Sequence, residues 1–140
     1  MNKEIEFRGW KKEGGGWIFG DLLFHSNYRN GKFPTISNEL VIRPIEVVPE
    51  SVGQYTGLSD LDGRRVYVGD VLYGRNNSSN LHMTVKFGIY RDYDAGFYVE
   101  FDGDYRYRQD LGFWLSPDTE GRVRAYVNSN IARENNYWRQ

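Results

Sequence analysis

The 140-residue chain is predicted to be all-β, a barrel or roll of short strands with little helix, and three features carry that prediction. Apolar and polar residues alternate with period two over several runs. The turn pairs Asn30-Gly31, Asp62-Gly63 and Asp102-Gly103 punctuate those runs, and only Ser129 to Tyr137 offers a helical turn or two. Aromatic residues make up 16% of the chain and glycine fills 16 positions, a composition that suits strands and tight turns. With a mean hydropathy of -0.69, the core should lean on rings, each able to bury about 150 to 250 Å².

Glu4 to Trp10 alternates, with Ile5 and Phe7 on one face and Glu4, Glu6 and Arg8 on the other, as a half-buried strand requires. Gly14-Gly15-Gly16 then makes a flexible hairpin connection into a second strand, Trp17 to Phe24. The triple glycine has neither the Lys-Ser/Thr pair of a Walker loop nor the strand, glycines and helix of a dinucleotide fingerprint, so phosphate binding is not expected there. Ser26 to Thr35 concentrates Asn, Gly, Ser and Pro and is predicted as a loop. Glu39 to Val48 is β-rich, but Pro44 lacks a ladder N–H, so the segment should be an edge strand or split in two. Val52 to Tyr73 should hold two short strands around Asp60-Leu61-Asp62-Gly63, and Asn76 to Asn80 should form a hairpin tip. Met83 to Tyr90, Gly96 to Phe101 and Tyr105 to Arg108 continue as a meander. Phe113 to Leu115 and Arg122 to Val127 supply the last strands, with Pro117 to Gly121 as the turn between them.

A chain of this length is expected to be one domain spanning residues 1–140. Its 18 basic and 19 acidic side chains give a formal charge of -1, so no global positive excess draws it towards nucleic acid or anionic lipid. The absence of cysteine excludes disulfides, thiolate metal sites and a cysteine nucleophile. The opening Met1 to Trp10 carries charges where a signal peptide needs an apolar core, and no apolar run approaches the roughly 20 residues of a membrane span. A cytoplasmic protein without a membrane partner is the expectation.

The segment from Gln54 to Val71 contains Gln54, Tyr55, Thr56, Gly57, Leu58, Asp60, Asp62, Gly63, Tyr67, Gly69 and Asp70 in an arrangement that resembles the central motif of the YopX family of phage and prophage proteins, roughly QYTGLxDxxGxxIYxGDIV. Lys3 to Trp10 is similar to that family's opening, with Gly9 where Ala is usual, and Tyr126 to Ile131 is similar to a segment near its end, although Ala132 to Asn136 replaces an acidic-Asn-Pro run. The resemblance implies an SH3-like roll with additional strands, encoded by a phage or integrated element of a bacterial host, with no established reaction and no catalytic residues to assign. From the residues alone, the motif serves architecture: its glycines permit strained turns and its aspartates suit turn positions. Convergence of Asp60, Asp62 and Asp70 on a cation is the alternative, but their spacing is not that of an EF-hand loop.

No other constellation rises to a catalytic signature. His25 and His82 stand in no ligand spacing, and no serine occupies a GxSxG elbow. No catalytic residue, metal site or cofactor is therefore expected. Asp92, Asp94, Glu100, Asp102, Asp104 and Asp110 form an acidic stretch in which two carboxylates could do hydrolase chemistry, an alternative weaker than ordinary solvated acids. Tyr105-Arg106-Tyr107-Arg108 suggests a second alternative, a β-roll binding single-stranded nucleic acid. On a strand, however, the tyrosines and arginines face opposite sides. The favoured reading is a non-catalytic binding or assembly module whose partner is protein, including a second copy of itself.

Overall fold

The computed structural model describes residues 5–27, 31–76, 79–91, 94–102 and 104–139, with the backbone alone at 75–76, 79–80, 91 and 104–107. The chain divides into two compact units, one formed by Met1–Tyr55 with Asn130–Gln140 and the other by Thr56–Ser129. Both are built on antiparallel strands, so the all-β expectation is borne out.

In the first unit, β1 (Phe7–Trp10), β2 (Trp17–Asn27), β3 (Gly31–Ser37), β4 (Ile45–Glu46) and the start of β5 (Gly53–Ser59) pair in the order β4-β3-β2-β1-β5. Gly14, Gly15 and Gly16 turn the chain from β1 to β2 at φ of +82°, +67° and +90°, bringing Trp10 opposite Trp17. L side chains resist those angles, and the glycines are needed for that reason.

The loop expected over Ser26 to Thr35 is mostly strand. β2 continues to Asn27 and β3 begins at Gly31, while Asn30 of the expected turn lies outside the described residues. Polar composition misled there because the far end of this hairpin is exposed and has no core face to fill. Pro34 sits in β3 just past the Thr35 and Ile36 positions that β4 pairs, and its carbonyl still accepts from the Val47 N–H at 3.3 Å. Within Glu39 to Val48 only Ile45–Glu46 is strand, and it lies at the sheet edge, as Pro44 required.

Ile18, Ile36 and Val47 form the core of this unit, with Phe7, Leu22, Val41, Ile45 and Val52 packed against them. Arg8, expected on the polar face of β1, is buried instead, with its guanidinium 4.1 Å from the centre of the Trp17 ring. A planar cation on an aromatic face loses less on burial than an ammonium would. Trp17 also meets Trp10 and Tyr137 edge to face at 5.3 and 5.8 Å. Tyr137 belongs to the short helical turns expected near the C-terminus, observed at Ile131–Glu134 and Tyr137–Arg139.

The second unit holds the end of β5, β6 (Arg65–Tyr67), β7 (Val71–Asn76), β8 (Ser79–Arg91), β9 (Asp94–Phe101), β10 (Asp104–Asp110), α1 (Leu111–Leu115) and β11 (Ala125–Val127). Its main sheet runs β10-β9-β8-β7-β11, and among the described residues it does not close into a barrel. Asn76 pairs with Ser79, as the expected hairpin tip requires. Asn77, Ser78 and the Gly103 of the Asp102-Gly103 turn lie outside the described residues.

Phe113 to Leu115, expected as strand, is the end of α1. Asp110 caps this helix by accepting a hydrogen bond from the Phe113 N–H at 3.2 Å. Leu111, Trp114 and Leu115 then fall on one face and are buried with Leu72, Met83, Val85 and Val99. The apolar parity of β8 runs on past this core: Met83 and Val85 are buried, whereas Phe87 and Ile89 are 64% and 68% exposed.

Candidate functional site

The sequence motif is a set of backbone-bracing hydrogen bonds. Gln54 pairs with Phe7 in the first unit, where the Tyr55 N–H donates to the Glu6 carbonyl at 2.7 Å. In the second unit, the Thr56 hydroxyl donates to the Val66 carbonyl at 2.8 Å and accepts from the Leu58 N–H at 3.2 Å, which ties β5 to β6. Gly57 takes φ of +83° within β5, and Gly63 and Gly69 take +86° and +96° at the turns that follow β5 and β6.

Asp60 lies at the start of the β5–β6 turn, and its carboxylate is buried. Oδ1 accepts from the N–H groups of Asp62 and Arg64 at 3.0 and 2.8 Å, and Oδ2 accepts from the Val127 N–H at 3.0 Å. Arg64 Nη1 stands 3.6 Å from Asp60 Oδ2 and 3.1 Å from Asp62 Oδ2. Asp70 is fully buried, and its Oδ2 accepts from the Tyr67 N–H at 2.8 Å. Its own N–H donates back to the Tyr67 carbonyl at 3.0 Å, closing the turn from β6 to β7. Charged acceptors suit buried backbone donors, because an unmet N–H in the interior is expensive.

This arrangement does not gather the three aspartates into a cation cage. Asp60 and Asp70 point at peptide groups of separate turns, and Asp62 is exposed beside Arg64. Among the described residues, no group of three or more His, Asp or Glu could hold a metal ion.

The other candidates are dispersed. His25 stacks on Phe33 at 5.9 Å in the β2–β3 hairpin. His82 lies against Tyr73 at 4.6 Å, with Nδ1 at 3.9 Å from Asp102 Oδ2. Of the acidic stretch, Glu100 is held between Lys86 and Arg108 at 3.0 and 3.2 Å, and Asp110 serves as the helix cap. Asp94 is exposed at the start of β9. Asp92 and the side chains of Asp104, Tyr105, Arg106 and Tyr107 lie outside the described residues. Arg108 is committed to Glu100 and stands 5.7 Å from the Tyr98 ring centre.

Asp118 anchors the turn before β11. The Arg122 N–H, above all, holds its carboxyl below the usual aspartate range, with desolvation opposing it and the Glu120 N–H and the charges of Arg122 and Arg124 adding to it.

A cleft of about 570 Å³ in the first unit escaped the sequence reading. It opens between β2 and the loop that follows β3, with Trp17, Phe19, Val41 and Ile45 supplying apolar walls and Lys11 and Glu39 the charged groups. Asn38 fixes the loop: its Nδ2 donates to the Phe19 carbonyl at 2.7 Å, and its Oδ1 accepts from the Leu40 N–H at 2.8 Å. Gly20 permits the close approach, since a Cβ there would collide with the Ser37 carbonyl. The signal in the sequence was an Asn followed two residues later by an apolar run, which is the start of an Asx turn as readily as of a strand.

A family model described as YopX protein matches residues 6–117, more than half of the chain. A comparison with curated proteins finds no match.

Proposed function

The chain belongs to the YopX protein family, and we propose that it is a phage- or prophage-encoded accessory protein, acting in the bacterial cytoplasm as a non-catalytic binding or assembly module that associates with itself. The observation that carries this reading is the paired exposure of large aliphatic and aromatic side chains in both units: Leu40 and Ile42 on one loop, Phe87 and Ile89 on one strand face. Neighbouring apolar groups left in water are what a protein interface covers. The motif's buried aspartates support it from the other side, because both are occupied with backbone donors rather than facing an open site.

Light scattering across a concentration series is the direct test. Self-association predicts a mass that rises with concentration and falls back when the exposed positions are changed to Asp. A parallel titration with single-stranded DNA and RNA oligonucleotides at low salt is expected to show no binding. Binding that weakens as salt rises would transfer the reading to a nucleic-acid module.

A further inference from the structure

β2 loses a neighbour part-way along its length. β3 pairs with it only from Asp21 to Asn27, and the loop after Ser37 leaves it, so residues 17–19 border the cleft on the side that β3 has vacated. The backbone of Trp17 points into that gap. The Trp10 N–H donates to Ser51 Oγ at 2.7 Å and the Trp10 carbonyl accepts from the Val48 N–H at 2.8 Å, so both groups turn away from β2. Trp10 and Trp17 are therefore a non-hydrogen-bonded antiparallel pair, and the Trp17 N–H and C=O face away from β1. At Phe19 the same edge is closed, because Asn38 Nδ2 donates to its carbonyl at 2.7 Å. Opposite charges stand at the two ends of this stretch. Glu39 follows Asn38, and Lys11 reaches over Gly16, where a Cβ would lie 3.9 Å from the Lys11 Nζ.

We infer that this cleft binds the N-terminus of a different polypeptide, added to β2 as a short antiparallel strand. One residue of that segment exchanges two backbone hydrogen bonds with Trp17, and its neighbours set apolar side chains against Trp17, Phe19, Val41 and Ile45. Every strand pair of this unit is antiparallel, so a chain in the place of β3 runs from the Phe19 end towards the Trp17 end. The Asn38 tether stops such a chain at Phe19. Its first residue then lies opposite Ile18 with the α-ammonium beside Glu39, its second opposite Trp17, and its third, an acidic one, opposite Gly16 beside Lys11. A volume of about 570 Å³ falls in the usual range of ligand clefts, about 300–1,000 Å³. The walls are in place beforehand: the Arg8 guanidinium lies 4.1 Å from the centre of the Trp17 ring, and Asn38 holds the loop. This binding needs no second copy of the chain, so it stands or falls apart from self-association.

Isothermal titration calorimetry of the full chain with the tripeptide amide Ile-Val-Glu, its α-amine free, tests this. Saturable binding of one peptide per chain is expected. Acetylating the amine, N-methylating the valine and reversing the order to Glu-Val-Ile are each expected to weaken it about tenfold, since each removes a charge-assisted contact or the donor to the Trp17 carbonyl. Glu39→Gln should weaken the free-amine peptide and leave the acetylated one unchanged, and Lys11→Gln should do the same for Ile-Val-Glu against Ile-Val-Gln. Both changes fall at exposed or half-exposed positions. Absence of saturable binding to the wild type overturns the site. N-methylation without effect overturns strand addition, and an acetylated peptide that binds equally well overturns the N-terminal assignment. Binding indifferent to both Glu39→Gln and Lys11→Gln places the peptide elsewhere and overturns the location.

Discussion

The backbone N–H of Val127 donates to the buried carboxylate of Asp60 at 3.0 Å across 67 residues of sequence. One side chain therefore shapes the β5–β6 turn through Oδ1 and holds the edge strand β11 through Oδ2. Changing Asp60→Ala strands three backbone donors and is expected to cost about 2–4 kcal/mol. Asp60→Asn keeps the shape but turns an amide donor towards one of those N–H groups, and should recover only part of the loss. Urea denaturation reads both as a lowered midpoint at constant slope. An Asp60→Ala variant within about 0.5 kcal/mol of wild type would mean that the carboxylate does not brace the motif.

Gly9 packs directly against the Val47 side chain. A Cβ on residue 9 would lie 2.7 Å from the Val47 Cβ, closer than two carbons can pack. Gly9→Ala is expected to destabilise by about 1–3 kcal/mol through overpacking. Adding Val47→Gly, which removes the opposing Cβ as well as both Cγ atoms, should return part of that, measured as a coupling energy in a double-mutant cycle. Additive effects would show that the two side chains do not compete for the same space.

Asp118 should titrate at a lower pH in the folded chain than after denaturation, because the Arg122 N–H favours its ionised form. A pKa depressed on folding contributes stability that is present above the unfolded value and is lost as pH falls through the folded one. Carboxyl carbon shifts followed by NMR should place its midpoint below that of an ordinary aspartate. The displacement should vanish in denaturant, and its persistence there would detach it from the turn.

The Asp110 cap gives a sharper local test. Asp110→Ala removes the acceptor for the Phe113 N–H and is expected to cost about 1 kcal/mol. Amide exchange at Phe113 should speed up by roughly the corresponding factor, and unchanged protection would place the helix start elsewhere.

Strand pairing in the second unit was legible because Met83, Val85, Phe97 and Val99 keep strict alternation between recognisable turns. The motif was legible as architecture for a related reason: glycines with positive φ and turn aspartates have few other uses. Leu111 to Leu115 was not, since five residues are too short for periodicity to declare itself and the cap at Asp110 sat inside an acidic stretch. Arg8 defeats simple alternation because burial on Trp17 depends on a ring from the next strand. The cleft was hidden for the same kind of reason: Leu40-Val41-Ile42 looks like strand, and only the hydrogen bonds of Asn38 turn it into a loop beside β2.

Sedimentation equilibrium of the wild-type chain from low to high micromolar concentration tests self-association most directly. The expected result is a weight-average mass that climbs above the 16.4 kDa of one chain towards a closed oligomer and is insensitive to moderate salt. A mass fixed at 16.4 kDa over the whole range would contradict it.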